Sequence, residues 1–238
     1  MNQKNTIREM LSEERPYEKC ERFGAGSLTD IELLAVLLRT GTKGESALDL
    51  ARKLFYPGEG TQPQAKAHLQ SWTKEELLKI SGIGRVKAIQ ILCLCELSKR
   101  MSQLSAREDL DFSRPDTIAA YYMEDMRYYR QEHLKLLMLN TRSRLIGESE
   151  ISRGTVNMSV ISPRELFIEA LQKNAVYIIL LHNHPSGDPT PSPDDLQITA
   201  RIYQAGELLG IHLLDHIVIG DQRYCSFREE GLWNTCTE

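Results

Sequence analysis

The chain has 238 residues, carries 29 Lys and Arg against 33 Asp and Glu for a formal net charge of −4, and is 41% hydrophobic and 26% charged. That balance is typical of a soluble globular protein with room for two cores. It excludes a disordered polyelectrolyte, and no apolar run approaches the roughly 18 residues that a membrane-crossing helix needs. The polar start Met1-Asn-Gln-Lys-Asn, and cysteines scattered at 20, 93, 95, 225 and 236, predict a cytoplasmic address with no membrane partner and with reduced thiols rather than a disulfide frame.

In chain order, residues 1–104 read as a helical domain. Thr29-Asp-Ile-Glu32 has the form of a capping box opening a helix over 31–38, a second helix covers 45–56, and Thr73-Lys-Glu-Glu76 opens a third. Pro57, Gly58, Gly60 and Pro63 separate the second from the third. From Leu77 the chain then runs Leu-Leu-Lys-Ile-Ser-Gly82-Ile-Gly84-Arg85-Val-Lys87, which resembles a helix-hairpin-helix. In such a motif the glycines permit a tight turn and the next helix start offers free N–H groups and a positive dipole end to a phosphate. Gly82, Gly84, Arg85 and Lys87 are therefore candidates for non-specific DNA contact, the alternative being a hairpin that only packs one helix pair on another. Residues 1–104 carry a net +3 and the remainder −7, so this half is the more basic, yet far from the patch of a committed DNA binder.

Residues 105–115 read as a linker, with few large apolar side chains, and Ser113-Arg-Pro-Asp116 opens the second domain, 116–238. There the pattern alternates: a helix, a hairpin from 133–140 and 144–152, a helix over 163–173, an apolar strand over 175–181, a helix over 193–209 ended by Gly210, and a strand over 211–219. Strands alternating with helices give an α/β (α+β) fold, a sheet layered with helices.

The densest chemistry lies at 182–195. Residues two apart on a strand share a face, so His182 and His184, after the strand, can meet one ion. A loop with three prolines and a glycine leads to Ser192-Pro-Asp-Asp195, which has Ser at an N-cap, Pro at N1 and an acid at N3. Ser192 and Asp195 fit a simple capping box. They also fit a third ligand and its neighbour, since two imidazoles and a carboxylate hold a divalent ion such as zinc with one tetrahedral position open. Other chemistries lack their signatures. Neither His-x-Glu with Pro-Cys-x-x-Cys, nor Gly-x-Ser-x-Gly, His-Glu-x-x-His, or a P-loop occurs. His212, Asp215 and His216 fall beside the last strand and read as ordinary strand residues or as outer partners of the site.

The spacing His182-x-His184-x7-Ser192-x2-Asp195 resembles the JAMM motif of MPN metalloprotease domains. The string His-Asn-His-Pro-Ser-Gly-Asp-Pro-Thr-Pro-Ser over 182–192 is similar to that of the RadC family in particular, as are Arg153-Gly-Thr-Val-Asn157, Pro163-Arg-Glu165, Gly206-Glu-Leu-Leu-Gly210 and Leu214-Asp-His-Ile-Val-Ile-Gly220. The resemblance implies a small all-helical N-terminal domain before a mixed sheet flanked by helices, cytidine-deaminase-like. It implies one zinc per chain on His182, His184 and Asp195, with Ser192 donating to the substrate oxyanion or holding the metal water, and a peptide or isopeptide amide as substrate. An upstream glutamate should act as general base. Glu148 and Glu150, of equal parity on the second hairpin strand, are the candidates, Glu150 preferred for its closeness to Arg153. The competing readings are a DNA-repair-associated accessory protein with a non-catalytic metal site, and an inactive interaction module on the same scaffold.

Overall fold

The structure is a computed structural model that describes residues 12–42, 44–57, 69–108, 110–154 and 161–232. The chain divides into two compact units, 1–97 and 98–238. Pro63, Gly58 and Gly60, expected to separate two helices, lie outside the described residues, as do Thr155, Asn157 and Cys236.

The first unit contains α1 (Pro16–Phe23), α2 (Asp30–Leu38), α3 (Ala47–Phe55), α4 (Lys74–Lys79) and the first half of α5 (Arg85–Glu108). Capping boxes start three of them. Thr29, Ser46 and Thr73 accept from the N–H groups of Glu32, Asp49 and Glu76, whose carboxylates take the cap N–H groups in return. Leu34, Leu38, Leu50, Leu54, Leu77, Ile83 and Ile91 form the buried cluster of this unit. Part of the stretch expected to be a linker is helical, since α5 runs on through residue 108. Its Gln, Leu, Ala, Arg and Glu are good helix formers, and a scarcity of large apolar groups does not stop a helix. No helix of the described residues is long and apolar enough to cross a membrane.

The second unit orders α6 (Pro115–Met126), β1 (His133–Leu139), β2 (Leu145–Arg153), α7 (Pro163–Gln172), β3 (Tyr177–Asn183), α8 (Pro193–Leu209), β4 (His212–Ile219) and β5 (Tyr224–Ser226) around one mixed sheet of order β2-β1-β3-β4-β5. The β3 and β4 strands are parallel, joined across α8, and the other pairings are antiparallel. Strand parity makes two layers. Leu134, Leu136, Met138, Ile178 and Leu180 face Leu166, Phe167, Ile198 and Ile202 of α7 and α8. Leu137, Leu139, Ile179, Leu181, Ile217 and Ile219 face Ile118, Tyr122 and Met126 of α6. The β3 strand runs two residues past the expected end, because His182 pairs with Leu134 of β1 and Asn183 with Ile219 of β4.

Candidate metal centre

His182 points into the α8 layer from the last pairs of β3, while Asn183, of opposite parity and fully buried, pins the strands. Its Oδ1 accepts from the His133 N–H at 2.9 Å and its Nδ2 donates to the Gln131 carbonyl at 3.1 Å. The His184 N–H donates to Ile219 O at 2.9 Å, which carries the β3 direction one residue beyond the strand. The following loop then lies across the end of β4. The Asp221 N–H donates to Gly187 O at 2.8 Å, and a Cβ on Gly220 would stand 2.5 Å from that same oxygen, so only glycine allows the approach. This delivers Ser192 as the N-cap of α8, its hydroxyl accepting from Asp195 N–H at 3.2 Å and donating to Asp195 Oδ2 at 2.7 Å.

The capping box at Ser192-Pro-Asp-Asp195 is formed and leaves room for a ligand role, because the two carboxylate oxygens have different surroundings. Oδ2 accepts from the Ser192 N–H and hydroxyl, each at 2.7 Å, while Oδ1 is buried without a hydrogen-bond partner. That orphaned oxygen lies 3.4 Å from His182 Nε2, and Oδ2 lies 3.4 Å from His184 Nε2. The two imidazole Nε2 atoms face each other at 2.9 Å. His184 Nδ1 sits 2.8 Å from the Asp188 carbonyl, which only accepts, so Nδ1 carries the proton and Nε2 presents a lone pair. Three donor atoms thus converge with a buried oxygen unsatisfied, and among the described residues His182, His184 and Asp195 form the group able to hold an ion. Metal–nitrogen bonds of 2.0–2.1 Å in a tetrahedral site set ligand atoms ~3.3–3.4 Å apart. The His182–Oδ1 spacing matches this, the imidazole pair stands a few tenths of an ångström closer, and the three ligand atoms, one from each residue, lie within 4.8 Å of one another.

Electrostatics agree with a cation-seeking site. Burial pushes the Asp195 carboxyl up, but the two imidazoles beside it and the Ser192 hydroxyl outweigh it and hold the group well below the usual carboxylate range. The Asp195 carboxylate beside it raises the His184 pKa against the opposing effect of burial. Beyond the triad, burial keeps His216 neutral.

A family model described as a RadC-like JAB domain matches residues 112–232, and a second, described as UPF0758 N-terminal, matches 7–89. The chain belongs to the RadC-like family. Similar proteins include UPF0758 proteins of Clostridium botulinum, 46% identical over 94% of this chain and 96% of theirs. Others are those of Bacillus licheniformis, 44% identical over 94% and 98%, and Bacillus velezensis, 44% identical over 94% and 95%.

In this RadC-like chain the two glutamates expected near the metal stand on the other side of the sheet. Glu150 pairs with Lys135 and Glu148 with Leu137, whose partners Leu181 and Ile179 belong to the α6 layer, whereas His182 faces α8. Glu148 takes hydrogen bonds from Tyr122 at 2.8 Å and Lys135 at 3.0 Å, and Glu150 lies 3.2 Å from His133 Nδ1. Their equal parity was legible from the sequence. The face was not, because it depends on the register between β1 and β3.

That register points to a different acid. Leu134 pairs with His182, so continuing two residues further sets Glu132 opposite His184 on the same face. Glu132 is half-buried, and its charge is among those that raise the His184 pKa. Parity from Leu134 and Leu136 back to Glu132 was the available signal.

Of the remaining candidates, His216 joins the site through His182, Asp215 is buried beneath the β4–β5 hairpin, and His212 bonds Glu207 at the other end of β4. The turn at Gly82 joins α4 to α5, and its groups are largely engaged within the fold. Gly82 has φ of +95°, and a Cβ there would meet Leu50 at 2.6 Å and Thr42 at 2.8 Å. Lys87 Nζ donates to the carbonyls of Thr40, Gly82 and Gly41 at 2.6, 3.3 and 3.4 Å, so its ammonium ties the α2–α3 turn to the α4–α5 turn. Arg85 is exposed at the start of α5, and Gly84 has open space around it.

Proposed function

We propose that this protein is a zinc-dependent hydrolase of peptide or isopeptide amide bonds, with His182, His184 and Asp195 as ligands and Glu132 as general base. The observation that carries the reading is the convergence of two imidazole nitrogens on one buried carboxylate, His182 facing Oδ1, which has no hydrogen-bond partner, and His184 facing Oδ2. A purely structural capping box leaves no reason for Oδ1 to be orphaned. When bound, zinc supplies Lewis acidity toward a carbonyl and lowers the pKa of a water toward roughly 7.

The residues of the chain then divide the remaining tasks. Glu132, across from His184, accepts the proton of the attacking water and returns it to the leaving nitrogen, work that a positioned general base performs for roughly 10²–10⁴ in rate. Ser192 already spends its hydroxyl proton on Asp195 Oδ2, so its part is to aim Oδ1 at the ion rather than to meet the substrate. A cytoplasmic location belongs to the same proposal, in keeping with Cys20, Cys93, Cys95 and Cys225 all being free thiols.

The test is turnover of a panel of fluorogenic peptide and isopeptide substrates by zinc-loaded protein, beside His184→Ala. Cleavage that disappears in the variant supports the proposal. Wild-type protein that binds one zinc yet cleaves no amide on the panel overturns it.

A further inference from the structure

The side of His182 away from the metal position is not solvent but another imidazole. His182 Nδ1 lies 2.7 Å from His216 Nε2, His216 Nδ1 lies 2.6 Å from Thr199 Oγ1, and Thr199 Oγ1 lies 2.5 Å from the backbone carbonyl of Asp195. His182, His216 and Thr199 have no exposed surface, and the His216 ring stacks on Phe227 at 4.8 Å between centroids. The run therefore starts at one end of Asp195 and returns to its other end, since Asp195 Oδ1 faces His182 Nε2 at 3.4 Å.

We propose that His216, set by Thr199, is the positioning residue that fixes the tautomer of His182 and so keeps its Nε2 lone pair open to the metal. The directions follow from what each group can do. A carbonyl only accepts, so the single hydroxyl proton of Thr199 goes to Asp195 O, and its oxygen must accept from His216 Nδ1–H. His216 has no exposed surface and its one ring proton is taken by the bond from Nδ1 to Thr199, so Nε2 keeps its lone pair and accepts across the 2.7 Å to His182. His182 must then donate through Nδ1–H, which leaves Nε2 bare. Asp195 thus acts on the site twice, as ligand through its carboxylate and as the fixed end of the relay through its carbonyl. The relay also seats the His182 ring in one rotamer, as outer partners of metal-bound histidines do.

This inference rests on the metal-binding part of the proposed function but not on catalysis, and two measurements on the full chain test it. In the first, Zn²⁺ is titrated in competition with a chromogenic chelator. Thr199→Val, nearly isosteric, is expected to weaken zinc binding 10–100-fold, Thr199→Ser to restore it to within about threefold, and His216→Phe to weaken it at least as much as Thr199→Val. In the second, ¹⁵N-resolved imidazole spectra of the wild type should show His216 as the Nδ1–H tautomer and His182 protonated at Nδ1. Wild-type zinc affinity in a folded Thr199→Val, or a proton found on His216 Nε2, overturns the proposal. The spectra decide the matter even if a variant fails to fold. Zinc bound normally without amide turnover would end the hydrolase reading and leave the relay standing.

Discussion

Asp195 has one oxygen inside a helix cap and the other facing His182 within a group able to hold a metal, and substitutions at single residues separate those duties. Asp195→Asn keeps an oxygen for the cap but removes the charge that offsets a cation, so α8 should persist while zinc retention falls at least 100-fold, read by metal analysis after gel filtration. Glu132→Gln should keep bound zinc and lose 10²–10⁴ in turnover. Glu148→Gln and Glu150→Gln, on the α6 face of the sheet, should stay within a few-fold of wild type. The reverse ranking in a steady-state assay would return the general base to β2. At this scale the candidate ligands were readable because the spacing of His182, His184 and Asp195 is local, within one strand end, one loop and one helix start. The proposed base Glu132 was not, because its place opposite His184 follows only from the pairing of Leu134 with His182, 48 residues apart in sequence.

Among the elements, the β4–β5 hairpin hangs on a buried acid. Asp215 Oδ1 accepts from the N–H groups of His216 at 2.8 Å and Arg228 at 3.1 Å, and Oδ2 from Ser226 at 2.6 Å. Burial raises its pKa to about 6 despite these bonds. The folded state therefore holds this proton more tightly than the unfolded chain, where the value is near 3.8. As pH rises from 4 to 6 the unfolded state releases it first, so this group lowers stability across that window, by roughly 3 kcal/mol in all. Asp215→Asn should flatten that fall, seen as a smaller loss of melting temperature between pH 4 and 6. A steeper loss in the variant would mean that the ionised carboxylate is the stabilising form. Ser192→Ala removes a cap worth about 1 kcal/mol and frees Asp195 Oδ2, so it should cost both stability and zinc affinity. Most elements could be read from the sequence, because caps at Thr29, Thr73 and Ser192 and the Gly210 stop are local signals. The β5 strand, three residues long, is too short to show a period, and the end of α5 was hidden by its polar composition.

For the whole molecule, two compact units with separate cores should respond separately to the metal. A ligand that binds only the folded form stabilises by about 2.7 kcal/mol at 100 times its dissociation constant. Zinc should accordingly raise the melting of the sheet-containing unit by roughly 5–10 °C and leave the helical unit unmoved. Lys87→Met should do the opposite, loosening the helical unit through three vacated carbonyls without changing zinc content. The same substitution weighs the DNA-associated alternative, since Lys87 is already committed within the fold and Arg85 is the exposed cation among the four candidate residues. Retention of labelled duplex at low salt that falls in Arg85→Ala would support that alternative, and no retention even at low salt would remove it.

The most direct test of the central claim is the metal stoichiometry of the purified full chain, by elemental analysis after exposure to zinc and removal of excess at pH 7, for wild type, His182→Ala, His184→Ala and Asp195→Ala. About one zinc per wild-type chain and close to none in each folded variant is the predicted result. Wild-type protein without stoichiometric metal, or variants that retain it, would contradict the account.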